Sequence, residues 1–515
     1  MSDKKIHNSD ITTCDSKDIK FTPYIWLCGI TAALASFAAG FNSAAPNTPE
    51  SVIRNCDMSA HGDGGLPACL PMSSGTWGLA VGILAIGGLV GGLSAGPAAN
   101  KFGRKWTLLF NNFFFIAGAI LVATATTVAQ FVAGRVIIGI ACGAGSVVAP
   151  MYVAEISTSG ARGILGTMYQ LFMVIGILAA NCAGLGLTSV PGWRYLFGIA
   201  IFPPILQVIL LPFCTETPGY LLSKNKVDEA RIALQKLRSG CVIDNEFNEL
   251  TSAARSEESK EDTLNIVQVL KNFRLRKLFI VAMIMHAYQQ LSGINSVIFY
   301  STNIFNDIFG VDNSQYVTVG VGCLNLVMTL VSVALIDRVG RKPLLYTSGI
   351  GMCVCSVLIV IASIYGVNTL MVVAVMLFVA TFAVGLGPIP WMLMPELIPT
   401  YAIGAASSTA TAVNWLFNFV IGQTFPPMKD ALGDYSFLPY AIICALGIAY
   451  TFFLVPETKG RNPNEMETII TFGFIRPSGN TLMVVAVMLF VATFAIGLGP
   501  IPSMLMPKLV PTYTF

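Results

Sequence analysis

Charge is what this 515-residue chain has least of: 11% of its residues are Asp, Glu, Lys or Arg, and it holds three histidines, His7, His61 and His286. Soluble domains carry about 25% charge, so the composition excludes one of this length. The sequence also lacks a phosphate-binding Gly-Lys-Ser/Thr loop and any Cys, His or acidic cluster at metal-ligand spacing, which argues against an enzyme and leaves no cofactor expected. No Asn-x-Ser/Thr acceptor occurs. The net charge of +3 is accounted for by a few basic turns, and no nucleic-acid partner is needed to explain it. A cleavable signal is not visible, because residues 1–20 are polar and the first apolar run is long enough to span a bilayer.

What fills the chain is apolar: 54% hydrophobic residues, 48 glycines and a mean hydropathy of +0.70. Runs of about 20 nearly uncharged residues mark helical membrane spans. They fall at 24–45, 75–98, 106–127, 129–151, 164–188, 194–214, 277–305, 315–336, 343–364, 369–394, 402–424 and 436–455. Lys and Arg crowd the N-terminal tail, "NKFGRK", the long middle loop, "DRVGRK" and "ETKGR", which places both ends of the twelve-span unit in the cytoplasm. Most of the twelve cysteines lie in or beside spans as small hydrophobes. Cys56 and Cys69 share the outward loop between spans 1 and 2, where a disulfide can form.

The chain repeats itself. "GPAANKFGRK" (96–105) returns as "ALIDRVGRK" (334–342), "EISTSGARG" (155–163) aligns with "ELIPTYAIG" (396–404), and "TETPG" (215–219) with "PETKG" (456–460). The expected fold is an all-α membrane protein of twelve transmembrane helices in two pseudo-symmetric six-helix halves, which rock about a midplane site. The expected order is an N-terminal tail (1–23), a first half (24–214), a linker with short helices (215–276), a second half (277–455), a tail (456–480) and an extra hydrophobic segment (481–515). That last segment, "TLMVVAVMLFVATFAIGLGPIPSMLMPKLVPTY", copies span 10: positions 368–401 and 480–513 differ at only four places, Val384/Ile496, Trp391/Ser503, Glu396/Lys508 and Ile398/Val510. It keeps the apolar lining and loses the two residues of span 10 that matter most below, Trp391 becoming Ser503 and Glu396 becoming Lys508, so it reads as an appendage rather than a working span.

With "GRVIIGI", "PMYVAEI", "QQLSGIN", "GLGPIPWMLMPEL", "NWLFNF" and "PETKGR" in order behind "NKFGRK", the chain resembles the sugar porters of the major facilitator superfamily, and among them the facilitative glucose transporters. The resemblance covers about residues 20 to 470. It implies the major facilitator fold, alternating access and a hexose substrate, glucose with galactose as a second candidate. It also implies sugar contacts at Gln170, Gln289, Gln290 and Asn295, with further contacts at Asn325, Asn414 and Trp391. His286 stands where the family usually carries another glutamine. The chemistry agrees, since a hexose carries hydroxyls that each donate and accept, and stripping their water without replacement costs a few kcal/mol per group. Planar amides replace that water without burying charge, and an indole face suits the sugar's C–H surface. A lone amide in a span is often only interhelical glue; four of them clustered in spans 5 and 7 read as a site. Pro388 and Pro390 predict a broken helix ahead of Trp391.

The resemblance further matches Arg104, Glu155, Arg162 and Glu216, and in the second half Arg341, Glu396, Glu457 and Arg461, to ion-pair networks that hold the halves together when the carrier opens outward. Ile403, Ala383 and Gly219 depart from the family's charged residues, so the second network is expected to be incomplete and the inward gate weaker. Proton-coupled sugar porters carry an aspartate in span 1 where this chain has Asn42, and spans 1 to 3 hold no Asp or Glu. Without an intramembrane carboxylate there is no evident proton relay. The expected protein is a facilitative hexose uniporter in the plasma membrane, its partners a hexose and the lipid bilayer. The alternatives are a sugar sensor on a transporter fold and a proton-coupled sugar or polyol symporter.

Overall fold

A computed structural model describes residues 22–54, 66–158, 161–238, 241–258 and 266–459. The duplicate 481–515, Cys56 and Arg461 lie outside the described residues. Spans 1 to 4 are Pro23–Ala44, Ser74–Phe102, Arg104–Ala123 and Val128–Ile156. Span 5 is Arg162–Gly166 continued by Met168–Leu187, and span 6 is Gly192–Ile199 continued by Phe202–Leu210. Four short helices follow in the linker: Pro218–Ser223, Val227–Leu237, Asp244–Glu258 and Ile266–Lys271. Span 7 comprises Phe273–Leu291 and Ile294–Phe309, and spans 8 and 9 are Val311–Val339 and Arg341–Ile364. Span 10 comprises Asn368–Val384 and Ile389–Leu397, and spans 11 and 12 are Thr400–Leu432 and Leu438–Leu454.

Spans 2, 4 and 8 each run 29 residues, several more than their apolar runs. Pro97 and Pro150 lie inside spans 2 and 4 without ending them, and the three helices continue to Gly103, Ser157 and Gly340. Among the described residues nine helices are long and apolar enough to cross a membrane unaided. Span 7 is not one of them, because it is cut into helices of 19 and 16 residues and the first opens on Arg274, Arg276 and Lys277 and closes on the polar "HAYQQ". Spans 11 and 12 meet the criterion only together, as a pair bent by 95°.

The halves meet where span 2 packs on span 11 and span 5 on span 8. Within the first half, spans 2 and 4 touch backbone to backbone. A Cβ on Gly139 would lie 2.0 Å from the Leu84 carbonyl oxygen, and one on Gly143 2.0 Å from that of Gly88, so only glycine permits this approach. At the end away from the basic turns, Asn47 Nδ2 donates to Ser301 Oγ (3.0 Å) and the Thr302 amide donates to Asn47 Oδ1 (3.4 Å), joining the halves. At the other end, Ile389–Leu397 leans on span 4 and on Arg162–Gly166.

Spans 5 and 6 are interrupted at Thr167 and at Ala200 and Ile201, and in the second half spans 7 and 10 are interrupted near mid-length. Span 7 breaks at Ser292–Gly293, where Gly293 adopts a left-handed backbone (φ +94°). Span 10 breaks over Gly385–Pro388. The expected proline effect falls one step earlier than Pro390, which sits in the first turn of Ile389–Leu397, where a missing N–H costs nothing. Cys69 is disulfide-bonded, and Cys28, Cys142, Cys214, Cys355 and Cys444 are free and buried.

Candidate substrate site

The break in span 10 leaves the Leu386 and Gly387 carbonyls outside any helical ladder, and span 7 supplies their donor. Gln289 Nε2 donates to both at 2.8 Å. Gln289 Oε1 accepts from Asn414 Nδ2 of span 11 at 2.7 Å, and Asn414 Oδ1 accepts from Gln290 Nε2 at 2.9 Å. Asn295 Nδ2 donates to Gln290 Oε1. His286 closes the group, its Nδ1 and carbonyl oxygen each 3.3 Å from Asn414 Nδ2. Gln289, Gln290, Asn295, Asn414 and His286 thus form one buried, connected network across spans 7, 10 and 11. Each amide is satisfied by another amide or by a carbonyl, so the uncharged cluster carries little desolvation cost.

Gln170 faces this network from the first half: a side-chain carbon at Gly387 would sit 3.4 Å from its Nε2. Trp391 lies over the cluster, its ring 4.9 Å from that of Tyr169 and 4.9 Å, edge-on, from that of His286. Asn325 is buried on span 8 but makes no hydrogen bond to the cluster, and its Oδ1 has no protein partner. His286 Nε2 and the Tyr169 hydroxyl also lack partners. Tyr169 went unnoticed in the sequence, although it neighbours Gln170. Arg135 did too, although a lone Arg inside the apolar "GRVIIGI" is itself a signal. It is 1% exposed and donates to the carbonyls of Asn42 (2.6 Å), Ala80 (3.3 Å) and Val81 (3.3 Å).

The charged residues at the basic-turn end are arranged differently from the expectation. Glu216 caps span 3, accepting from the backbone N–H of Arg104 (3.1 Å) and Lys105 (3.1 Å). Glu457 caps span 9 in the same way, from Arg341 (3.0 Å) and Lys342 (3.0 Å). The glycine ahead of each pair is left-handed, Gly103 at φ +94° and Gly340 at φ +99°. A Cβ there would collide with the capping carboxylate at 2.4 Å and 2.9 Å respectively, so the Gly-Arg-Lys turn and its glutamate form one motif. Arg104 pairs with Glu155 at 2.8 Å and Arg341 with Glu396 at 2.6 Å. Both ion pairs lie within one half. The expectation that they tie half to half is corrected to that extent: the repeat makes each pair a local fastening between its own spans. Arg461 and the side chain of Arg162 lie outside the described part of the structure. Ile403 packs on the core and Ala383 is buried, so their lack of charge leaves the Arg341 pair intact.

Two six-helix halves of this build have the architecture of a membrane transporter of the major facilitator class. The sequence model described as "Sugar (and other) transporter" matches residues 28–470. Facilitated glucose transporter member 3 of the rabbit, Oryctolagus cuniculus, is 37% identical over 457 residues, 86% of this chain and 91% of the relative. Member 4 of the mouse, Mus musculus, is 37% identical over 461 residues, 86% and 90%. Among solved structures, the proton:xylose symporter XylE bound to 6-bromo-6-deoxy-D-glucose superposes with a TM-score of 0.75 at 25% identity, covering 87% of this chain and 99% of that one. The chain belongs to the sugar transporter family. It is a multi-pass membrane protein and a sugar carrier, not an enzyme.

Proposed function

We propose that this carrier is a facilitative hexose uniporter working by alternating access, with glucose as substrate. The observation that carries the reading is the surroundings of Arg135. Its donors go to three backbone carbonyls, Asn42 occupies the span 1 position, and among the described residues no carboxylate pairs with this buried cation. A group able to take up and release a proton in the core is missing from that place. The amide network supports the same reading. Because Gln289, Gln290, Asn295 and Asn414 satisfy one another, these four amides need not be left bare when no sugar is bound, which eases the return of an unloaded carrier. A sugar hydroxyl enters by exchanging one amide bond for another, a trade of small net cost.

In this scheme Gln170, Gln289, Gln290, Asn295, Asn414, Asn325 and His286 take the hydroxyls and Trp391 takes the C–H face. The Arg104, Glu155, Arg162 and Glu216 group and its counterpart Arg341, Glu396, Glu457 and Arg461 govern the gate, in a plasma-membrane protein whose basic turns face the cytoplasm. Sugar-specific counterflow in liposomes, with no accumulation against a gradient, is the expected behaviour. Concentrative uptake abolished by a protonophore would establish symport, the reading favoured by the likeness to a proton:xylose symporter. Gln170→Ala or Gln290→Ala should weaken uptake by about 1–3 kcal/mol in apparent affinity or rate; unchanged counterflow in both would remove the amides from the site.

A further inference from the structure

On the first half, at the end away from the basic turns, a cavity of about 380 Å³ opens at the bundle surface between residues 66–68, the end of span 3 and the start of span 6. Leu66, Ala123, Arg194, Gly198, Ile199 and Phe202 line it. Its rim is apolar and outward-facing, with Tyr195 62% and Phe202 68% exposed, on a surface that meets lipid in a multi-pass protein. Arg194 is 7% exposed. Its Nη1 donates to the Ala123 carbonyl (2.9 Å), its Nη2 to the Pro67 carbonyl (2.7 Å), and its guanidinium lies 4.2 Å from the Trp193 ring centroid. All of these partners are neutral, and among the described residues no carboxylate pairs with Arg194.

A cation held rigidly without a counter-ion, at the edge of an apolar cavity, selects an anion joined to an apolar chain. The spacing agrees. Arg194 stands in the first turn of span 6, at headgroup level, and Phe202 lies eight residues deeper, about 12 Å along a helix. We propose that this cavity binds a glycerophospholipid of the leaflet opposite the basic turns, its phosphate at Arg194 and an acyl chain along Ile199 and Phe202. Bound there, the lipid ties residues 66–68, span 3 and span 6 together, all within the first half.

Gly198 provides the test, because it lines the cavity and nothing lies within 4 Å of a Cβ placed on it, so a side chain can start there without meeting the fold. The full chain, purified in detergent, is delipidated stepwise and its bound lipid counted by native mass spectrometry. Thermal unfolding is followed with added 1-palmitoyl-2-oleoylphosphatidylglycerol or with inorganic phosphate. The wild-type chain should retain one phospholipid and be stabilised by the added lipid but not by phosphate. Gly198→Trp should lower retention at least about tenfold, as expected if contact with even two methylenes is lost, with Gly198→Leu as the smaller filler should tryptophan lower expression. Arg194→Gln should lower retention as well, and if that variant fails to fold the Gly198 variants decide. Equal lipid retention by wild type and the Gly198 variants, or full stabilisation by inorganic phosphate alone, would overturn the proposal.

Discussion

The two basic turns are built on the same plan and finished differently. In the second half Arg341 grips Glu396 through two nitrogens, Nε at 3.1 Å and Nη2 at 2.6 Å, and the Thr458 hydroxyl donates to the remaining oxygen, Glu396 Oε2. In the first half Arg104 also uses two nitrogens, Nε at 3.0 Å and Nη2 at 2.8 Å, but both go to Glu155 Oε1; Glu155 Oε2 and the hydroxyl of Thr217, the counterpart of Thr458, are buried without protein partners. Gly219 helps explain this, since a Cβ there would sit 3.7 Å from Glu155 Oε2 and the glycine offers no donor. The carboxylates that cap the helices follow suit. Burial pushes Glu216 above the usual carboxylate range, against the pull of the Thr217, Lys105 and Arg104 amides and the Arg104 charge. Burial also acts on Glu457, but the Arg341, Lys459 and Lys342 amides and the Arg341 charge outweigh it and hold that carboxyl below the range. The sequence departures pointed to a weakened second network; the local fastening that is weak is the first. A duplicated motif therefore fixes where groups stand, while single neighbours decide how completely they are paired.

The contrast can be broken in three ways, the first with the largest effect. Arg341→Ala should cost about 3 kcal/mol of stability, because it strands a carboxylate whose two oxygens are both engaged, while Arg104→Ala, which frees a carboxylate already bonded through one oxygen only, should cost roughly half as much. Thermal unfolding of the two purified variants decides; equal losses would erase the asymmetry. Next, Thr458→Val removes a hydrogen bond to a charged group and should cost about 1.5–3 kcal/mol, whereas Thr217→Val, whose hydroxyl has no protein partner, should be neutral or slightly stabilising. A larger loss from the Thr217 variant would reverse the assignment of tight and loose halves.

The smallest effect is in the pH dependence. A carboxylate with a raised folded pKa costs stability when ionised, and that cost is relieved as pH falls through the raised value. One with a lowered folded pKa contributes stability above its unfolded value, about 4.5, and loses it as pH falls through the lowered value. At pH 7, Glu457→Gln should therefore lower the melting temperature more than Glu216→Gln, and the gap should narrow on acidification below the ordinary carboxylate range. A gap that stays constant with pH would show that ionisation is not what separates the two glutamates.

The class, the order of the spans and the repeat were readable from the sequence because each rests on local features: apolar runs, Gly-Arg-Lys turns and recurring short strings. The amides of the buried network were noticeable too, since an amide inside an apolar run stands out. Their pairing was not. Gln289 meets Leu386 and Gly387, nearly a hundred residues away, and that register follows from two helix breaks that no periodicity encodes. The capping role of Glu216 and Glu457 was hidden for a similar reason, because a glutamate near an arginine reads as an ion pair until the backbone shows two free N–H groups aimed at it. Span 7 was recognised by length although its polar residues weaken its hydropathy. The overrun of spans 2, 4 and 8 was missed because hydropathy marks the hydrocarbon boundary rather than the end of a helix.

The seam between spans 2 and 4 has a mechanical consequence. Where Gly139 and Gly143 lay one backbone directly on another, there are no side chains to change rotamer and take up slack. The two rods cannot separate or roll without opening a gap that nothing nearby can fill, so the first half answers force as a welded plate. The second half has spans 7 and 10 each cut in two, and the free carbonyls at the span 10 cut are held only by Gln289. The stiffness of the first half therefore lies in this seam, since its spans 5 and 6 are also in two pieces, while the joints of the second half coincide with the amides proposed to take the load.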